Sequence, residues 1–97
     1  MRRADYIFCI GFEGSTAIVD GRLQRRCGSW PVSRLASEGL FKQALCAAIY
    51  DNSAAELEEV LSAYNERTPR AVGSVDELKR IFGTFGVPEG VKKVSVV

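Results

Sequence analysis

The residue types that most often carry catalysis are scarce in this chain of 97 residues, which has three cysteines and no histidine. Without histidine, neither a Ser-His-Asp triad nor a Cys-His pair can form within the chain. The commonest metal ligand is also missing, and the three cysteines lack the close local pairs that are typical of zinc sites. The sequence therefore indicates no catalytic residue, no metal site and no cofactor.

Cys27 is the one cysteine with activating neighbours. Arg25 and Arg26 precede it, and nearby positive charge favours the thiolate, which is the nucleophilic form. One hypothesis is therefore a thiol-dependent enzyme or redox sensor centred on Cys27. The alternative is that Cys27 packs as a small hydrophobic residue, which is the usual state of a free cysteine. Cys9 and Cys46 lie in apolar runs and are expected in the core.

Positive charge is concentrated in the first third of the chain. Residues 1–34 carry a net charge of +3 and residues 35–67 one of −4, although the whole chain is only +1. Arginines that lie together can contact phosphates, and a nearby indole can stack on a base. A nucleic-acid-binding surface is therefore a second hypothesis, although runs of charge often do no more than solvate a surface. Its predicted members are Arg22, Arg25, Arg26 and Trp30.

The first part of the chain has the pattern of an antiparallel β-meander. Residues 6–12 are apolar on both alternating faces, which predicts a central, covered strand. Residues 16–19 predict a second strand, and Asp20-Gly21 is a typical two-residue hairpin turn. Residues 22–27 then predict a third strand, whose arginines suit an exposed sheet edge.

Helical patterns follow the meander and account for three to four helices. Ser33 is the predicted N-cap of the first helical segment, which Gly39 ends. Residues 41–49 show the apolar spacing of an amphipathic helix. The Ser-x-x-Glu patterns at 53–56 and 74–77 are capping boxes that begin two further helices.

Residues 91–97 predict a final strand that returns to the sheet, because an isolated strand would leave its backbone groups unpaired. The expected fold class is α+β, with the helices packed on one face of the sheet. A chain of this length can bury a sufficient core, so we expect a single domain spanning residues 1–97.

Composition favours a protein of the cytoplasm. An odd number of cysteines without a Cys-x-x-Cys pair is not the pattern of a secreted disulfide scaffold. No apolar stretch approaches the length of a transmembrane helix, so no membrane association is expected.

These observations favour a small non-enzymatic interaction or regulatory module with a protein partner or a second copy of the chain. The predicted edge strands, residues 22–27 and 91–97, could each accept an added strand. The basic and acidic regions could also dock between copies. Nucleic-acid binding and thiol chemistry are the alternatives.

Overall fold

The computed structural model describes all 97 residues, from Met1 to Val97, and confirms the α+β class. It contains six helices and one three-stranded mixed sheet. None of the helices is long and apolar enough to span a bilayer. In chain order the elements are α1 (Arg3–Ile7), β1 (Cys9–Glu13), β2 (Thr16–Val19), α2 (Gly21–Cys27), α3 (Val32–Ser37), α4 (Phe41–Tyr50), α5 (Ala54–Arg67), α6 (Val75–Phe82) and β3 (Lys93–Val96).

The prediction of a third N-terminal strand is wrong, because Gly21–Cys27 forms helix α2. Asp20 does not form a hairpin turn but caps this helix, and its Oδ1 accepts a hydrogen bond of 3.1 Å from the Leu23 amide. Aspartate suits both a turn and an N-cap, so Asp20-Gly21 alone does not distinguish them. On the helix, Leu23 and Cys27 are four residues apart and share its inner face.

The first predicted strand is shorter than expected, because residues 3–7 form helix α1. The Arg2 amide donates to Oδ2 of Asp5 over 3.2 Å, so the Asp5 carboxylate satisfies a free backbone donor at the helix start. Tyr6 and Phe8, predicted in the strand, are instead buried within and just after α1. Only residues 9–12 of the predicted strand are extended, within β1.

The later helices follow the sequence patterns closely. Ser53 Oγ accepts from the Glu56 amide at the start of α5, and Ser74 Oγ accepts from the Glu77 amide at the start of α6. Gly39, with φ of 79°, separates α3 from α4 as predicted. The prediction that Ser33 is the N-cap of α3 is wrong, because α3 begins at Val32 and Pro31 is in the N-cap position.

The sheet has the order β1-β2-β3, in which β2 is central. β1 and β2 are antiparallel, whereas β3 runs parallel to β2, with Thr16 beside Lys93 and Val19 beside Val96. The predicted return of the C-terminal strand is thus confirmed. The prediction that the first strand is central is wrong, because β1 is an edge strand.

The hydrophobic core lies mainly among the helices. It contains 17 buried residues, of which Val19 is the one strand residue. Leu35, Leu45 and Leu78 are fully enclosed and join α3, α4 and α6. The sheet therefore adjoins the helical body and leaves much of its own apolar surface uncovered.

Candidate functional site

Helix α2 gathers the predicted arginines on one exposed surface. Arg22, Arg25 and Arg26 stand at positions i, i+3 and i+4, so they share a face of the helix, and all three are exposed. None of them forms an ion pair, because the salt bridges of this protein join Arg2 to Asp5 and Arg3 to Asp51. We call Arg22, Arg25 and Arg26 the basic helix face.

The basic helix face adjoins the N-terminal arginines. Arg25 lines a shallow cleft together with Arg2 and Arg3, so three arginines contribute to one depression. The Arg3 guanidinium is already engaged, because it bonds both carboxylate oxygens of Asp51, at 3.0 and 3.2 Å. Arg25 is thus the arginine of this cleft without a carboxylate partner.

Trp30, the predicted base-stacking residue, is half-buried and packs against the core. The Arg34 guanidinium carbon lies 3.9 Å from its ring centroid and covers one face of the indole. The Trp30 carbonyl also accepts a hydrogen bond of 3.2 Å from Arg3. Trp30 is therefore held in place beside the arginines, with one face of its ring occupied.

The three cysteines are all free thiols, and they differ in their access to solvent. Cys27 is only 2% exposed and belongs to the core cluster, which denies it the contact with substrate that a nucleophile needs. Cys9 is half-buried, and its thiol donates to the Gly11 carbonyl over 3.3 Å. The geometry therefore favours the packing interpretation of Cys27.

The outer side of β3 is an open edge of the sheet. All four residues of β3 are exposed, and no strand lies beyond it. The Lys93 and Val97 amides donate to the carbonyls of Ser15 and Val19, towards the central strand. Since successive peptide groups of a strand point to opposite sides, the N–H and C=O groups of Val94 and Val96 face away from β2.

The β3 edge is also apolar. The pairing places Val94 beside Ala17 and Val96 beside Val19, so these four side chains share one face of the sheet. Ala17 and Val19 are completely buried, whereas Val94 and Val96 remain 38% and 51% exposed. The sheet face that is buried at β2 is therefore exposed along β3, and we call Val94 and Val96 its exposed margin.

Cations stand at both ends of β3. Lys92 and Lys93 are exposed at its start. At its end, the Gly21 amide donates to the Val97 carbonyl over 3.0 Å, which joins α2 to the strand. The Arg25 guanidinium lies beside this junction, 3.1 Å from the position that a Cβ on Gly21 would take. The sheet edge is thus flanked by positive charge.

A cavity of about 330 Å³ lies at the opposite edge of the sheet from β3, next to β1. Tyr6 and Cys46 contribute to its lining, with Thr84 from the segment after α6. The Tyr6 and Thr84 hydroxyl oxygens are 3.0 Å apart, and the Cys46 sulfur is 3.6 Å from Thr84 Oγ1. We call this space the Tyr6 cavity.

Burial is the main influence on the pKa values of Tyr6 and Cys46 in the Tyr6 cavity. It raises the pKa of the Cys46 thiol, while hydrogen bonds from Thr84 and Tyr6 and the positive charge of Lys42 act in the opposite direction. Burial likewise raises the pKa of Tyr6. Both groups are therefore uncharged hydrogen-bonding groups at neutral pH.

Comparison of the chain with protein-family models, with curated proteins and with solved structures gives no match. No group of three or more cysteine, aspartate or glutamate side chains is arranged to hold a metal ion. The candidate sites are therefore the β3 edge, the basic helix face and the Tyr6 cavity. Sequence reasoning missed the cavity, because Tyr6 and Thr84 are 78 residues apart and neither belongs to a recognisable motif.

Proposed function

We propose that this protein is a non-enzymatic interaction module of the cytoplasm that binds an extended, acidic and apolar segment of a protein partner along β3. The observation that carries the proposal is the open β3 edge, where the peptide groups of Val94 and Val96 have no strand beside them. An added strand gains main-chain hydrogen bonds whatever its sequence. The three free thiols fit a reducing compartment.

The exposed margin of the sheet determines which side chains the partner brings. Val94 and Val96 lie on the same face as the buried Ala17 and Val19. A strand added beside β3 places every second side chain next to these valines. We therefore expect apolar residues at alternate positions of the partner, since they extend the apolar face of the sheet.

Charge supports an acidic partner over a second copy of β3. Lys92, Lys93 and Arg25 flank the edge, so a strand with carboxylates near its ends meets opposite charge. Lysines on an edge strand discourage pairing with an identical strand. The acidic region of this chain does not provide a suitable strand, because Glu56, Glu58 and Glu59 belong to helix α5.

Backbone hydrogen bonds alone do not hold such a partner. Val94 and Val96 offer two donors and two acceptors, and each hydrogen bond contributes roughly 0.5–1.5 kcal/mol net. Ordering the backbone of the partner costs about 1–2 kcal/mol per residue. The apolar margin and the flanking cations therefore determine whether binding occurs, and they make it selective for acidic, apolar sequences.

The direct test is an NMR titration of the ¹⁵N-labelled protein with a short peptide that alternates valine and glutamate. We expect saturable shifts of the Val94 and Val96 amides, and much weaker binding of a matched peptide that alternates valine and lysine. Val94→Pro removes an outward N–H that makes no bond to β2, and proline is tolerated on edge strands, so it should abolish binding while the fold persists. Ser95→Thr is the control and should bind normally.

Two outcomes would overturn this assignment. One is peptide binding that survives Val94→Pro or that shifts resonances remote from β3. The other is pairing of β3 with a second copy of the chain, recognised by shifts of Val94 and Val96 that depend on protein concentration in the absence of peptide.

Nucleic-acid binding is the second candidate, and the basic helix face is the observation that favours it. Arg22, Arg25 and Arg26 lie on one exposed face without carboxylate partners. Because one face of Trp30 is covered by Arg34, binding would depend mainly on phosphate contacts and show little sequence preference. The test is the affinity for a single-stranded oligonucleotide as a function of salt.

For this second candidate, Arg25→Glu with Arg26→Glu should abolish binding that weakens steeply as salt increases. The matched control is Arg70→Glu with Arg80→Glu, which reverses the same number of exposed charges elsewhere. Equal losses in the two double variants would assign the effect to net charge and rule out a specific basic helix face.

A further inference from the structure

The Tyr6 cavity has apolar walls that solvent reaches. Ile10 and Phe12 of β1 line it together with Phe85 from the segment after α6. These three side chains are 64%, 53% and 64% exposed, so much of their apolar surface is in contact with solvent. Large apolar side chains around a cavity are the usual lining of sites for small ligands.

Lys42 brings an unpaired positive charge to the cavity. It stands four residues before Cys46 on α4, so both side chains lie on the same face of the helix and both line the cavity. Lys42 forms none of the salt bridges of this protein. Its charge acts on the Cys46 thiol, which is consistent with a position close to the cavity floor.

The floor of the cavity is a cluster of hydrogen-bonding groups. The Tyr6 and Thr84 hydroxyl oxygens are 3.0 Å apart, and the Cys46 sulfur lies 3.6 Å from Thr84 Oγ1. A hydroxyl group can both donate and accept a hydrogen bond. A ligand oxygen in the cavity can therefore accept a hydrogen bond from Tyr6 or Thr84 in place of one of these internal contacts.

We propose that the Tyr6 cavity binds a small monocarboxylate with an apolar tail, such as a medium-chain fatty acid. The carboxylate lies between the Lys42 ammonium group and the hydroxyls of Tyr6 and Thr84, and the tail covers Ile10 and Phe85. A volume of about 330 Å³ equals the space of about 11 water molecules at ~30 Å³ each, which matches the ten non-hydrogen atoms of octanoate.

This ligand site is independent of the partner segment proposed for β3. The cavity adjoins β1, at the opposite side of the sheet from β3. Lys42 and Lys93 can therefore be replaced separately. Replacement of Lys42 should weaken only the binding of the carboxylate, and replacement of Lys93 should weaken only the binding of the partner segment. Failure of either proposal is then distinguishable from failure of the other.

The test measures the binding of hexanoate, octanoate and the uncharged octanol by calorimetry. We expect the affinity to rise about fourfold for each added methylene group until the tail fills the cavity. Lys42→Met should weaken octanoate binding roughly fivefold, as expected for an exposed ion pair, and should leave octanol binding unchanged. Lys93→Met is the matched control and should leave both unchanged.

NMR shifts of Ile10, Phe12 and Phe85 on addition of octanoate should locate the ligand. The proposal is overturned if octanoate shows no saturable binding at millimolar concentration, if Lys42→Met leaves its affinity unchanged, or if the shifted resonances lie outside the Tyr6 cavity. Lys42 is exposed, so its replacement should not disturb folding, and the thermal unfolding of the variant checks this.

Discussion

Gly21 lies directly against Val96: a Cβ atom on Gly21 would stand 2.5 Å from the Val96 Cγ1 atom and 2.9 Å from the Val97 carbonyl oxygen. Such distances are shorter than any ordinary carbon contact. The absence of a side chain at Gly21 therefore allows the start of α2 to meet the end of β3, and the Gly21 amide bonds the Val97 carbonyl there. This junction holds the strand on which the proposed partner site depends.

Replacement of Gly21 by alanine should therefore loosen β3. We expect Gly21→Ala to lower the free energy of unfolding by about 1–3 kcal/mol, because the added methyl group must displace Val96 or the backbone. Urea unfolding measures the change. Gly86→Ala is the control, since a Cβ at Gly86 would meet no atom within 4 Å, and it should be neutral or slightly stabilising. Equal effects of the two substitutions on stability would contradict the close contact between Gly21 and the end of β3.

The helical state of residues 21–27 depends on the cap that Asp20 provides. Asp20→Ala removes the acceptor for the Leu23 amide and should cost about 1 kcal/mol of stability, whereas Asp20→Ser preserves a capping oxygen and should cost less. Urea unfolding with far-UV circular dichroism measures both variants. If Asp20→Ala left stability and helix content unchanged, Asp20 would not be the cap.

The sequence was most informative where local interactions determine the structure. The capping serines Ser53 and Ser74 and the break at Gly39 predicted the later helices correctly, because a helix start needs only residues within one turn. Residues 91–97 also predicted the returning strand, although whether it runs parallel depends on its partner β2.

Sequence reasoning failed where one pattern fits two structures. Residues 22–27 alternate between the two faces of a strand, with Leu23 and Cys27 on the same face. The spacing of four residues between Leu23 and Cys27 equally predicts a helix, whose outer face then carries Arg22, Arg25 and Arg26. The Tyr6 cavity was not predictable, because it arises from contacts between distant parts of the chain.

Stability should fall at alkaline pH because of two buried groups. Burial raises the pKa of the Cys46 thiol above its ordinary value of 9.0 and that of Tyr6 above 10.0. The unfolded chain loses these protons at lower pH than the folded protein. Their contribution to stability is therefore fully present below about pH 9 and is lost as the pH rises through the folded-state pKa values.

Urea unfolding between neutral pH and the alkaline range measures this loss. Cys46→Ala lowers the stability at every pH because it removes a buried group. It should also reduce the decline in stability that begins near pH 9, where the thiol of the unfolded chain titrates and the buried thiol does not. Cys9→Ala, at a half-buried thiol, is the control. If the free energy of unfolding of Cys46→Ala declined with pH as steeply as that of the unchanged protein, the buried-thiol explanation would be contradicted.

The burial of Cys27 predicts a low rate of alkylation in the native protein. We expect iodoacetamide to modify the half-buried Cys9 first and to reach Cys27 only when the protein opens, so that mild denaturant accelerates the reaction. Mass spectrometry of peptides from the modified protein identifies each site. Selective alkylation of native Cys27 would restore the thiol-dependent hypothesis and overturn the packing interpretation.

The open β3 edge is the central claim, and amide hydrogen exchange of the free protein at low concentration tests it most directly. We predict slow exchange at Val97, whose N–H donates to Val19, and fast exchange at Val94 and Val96, whose N–H groups face outward. Fast exchange at all three amides would show that β3 is not docked on β2. Protection of Val94 and Val96 in the free protein would show that the edge is already covered and would contradict the proposed function.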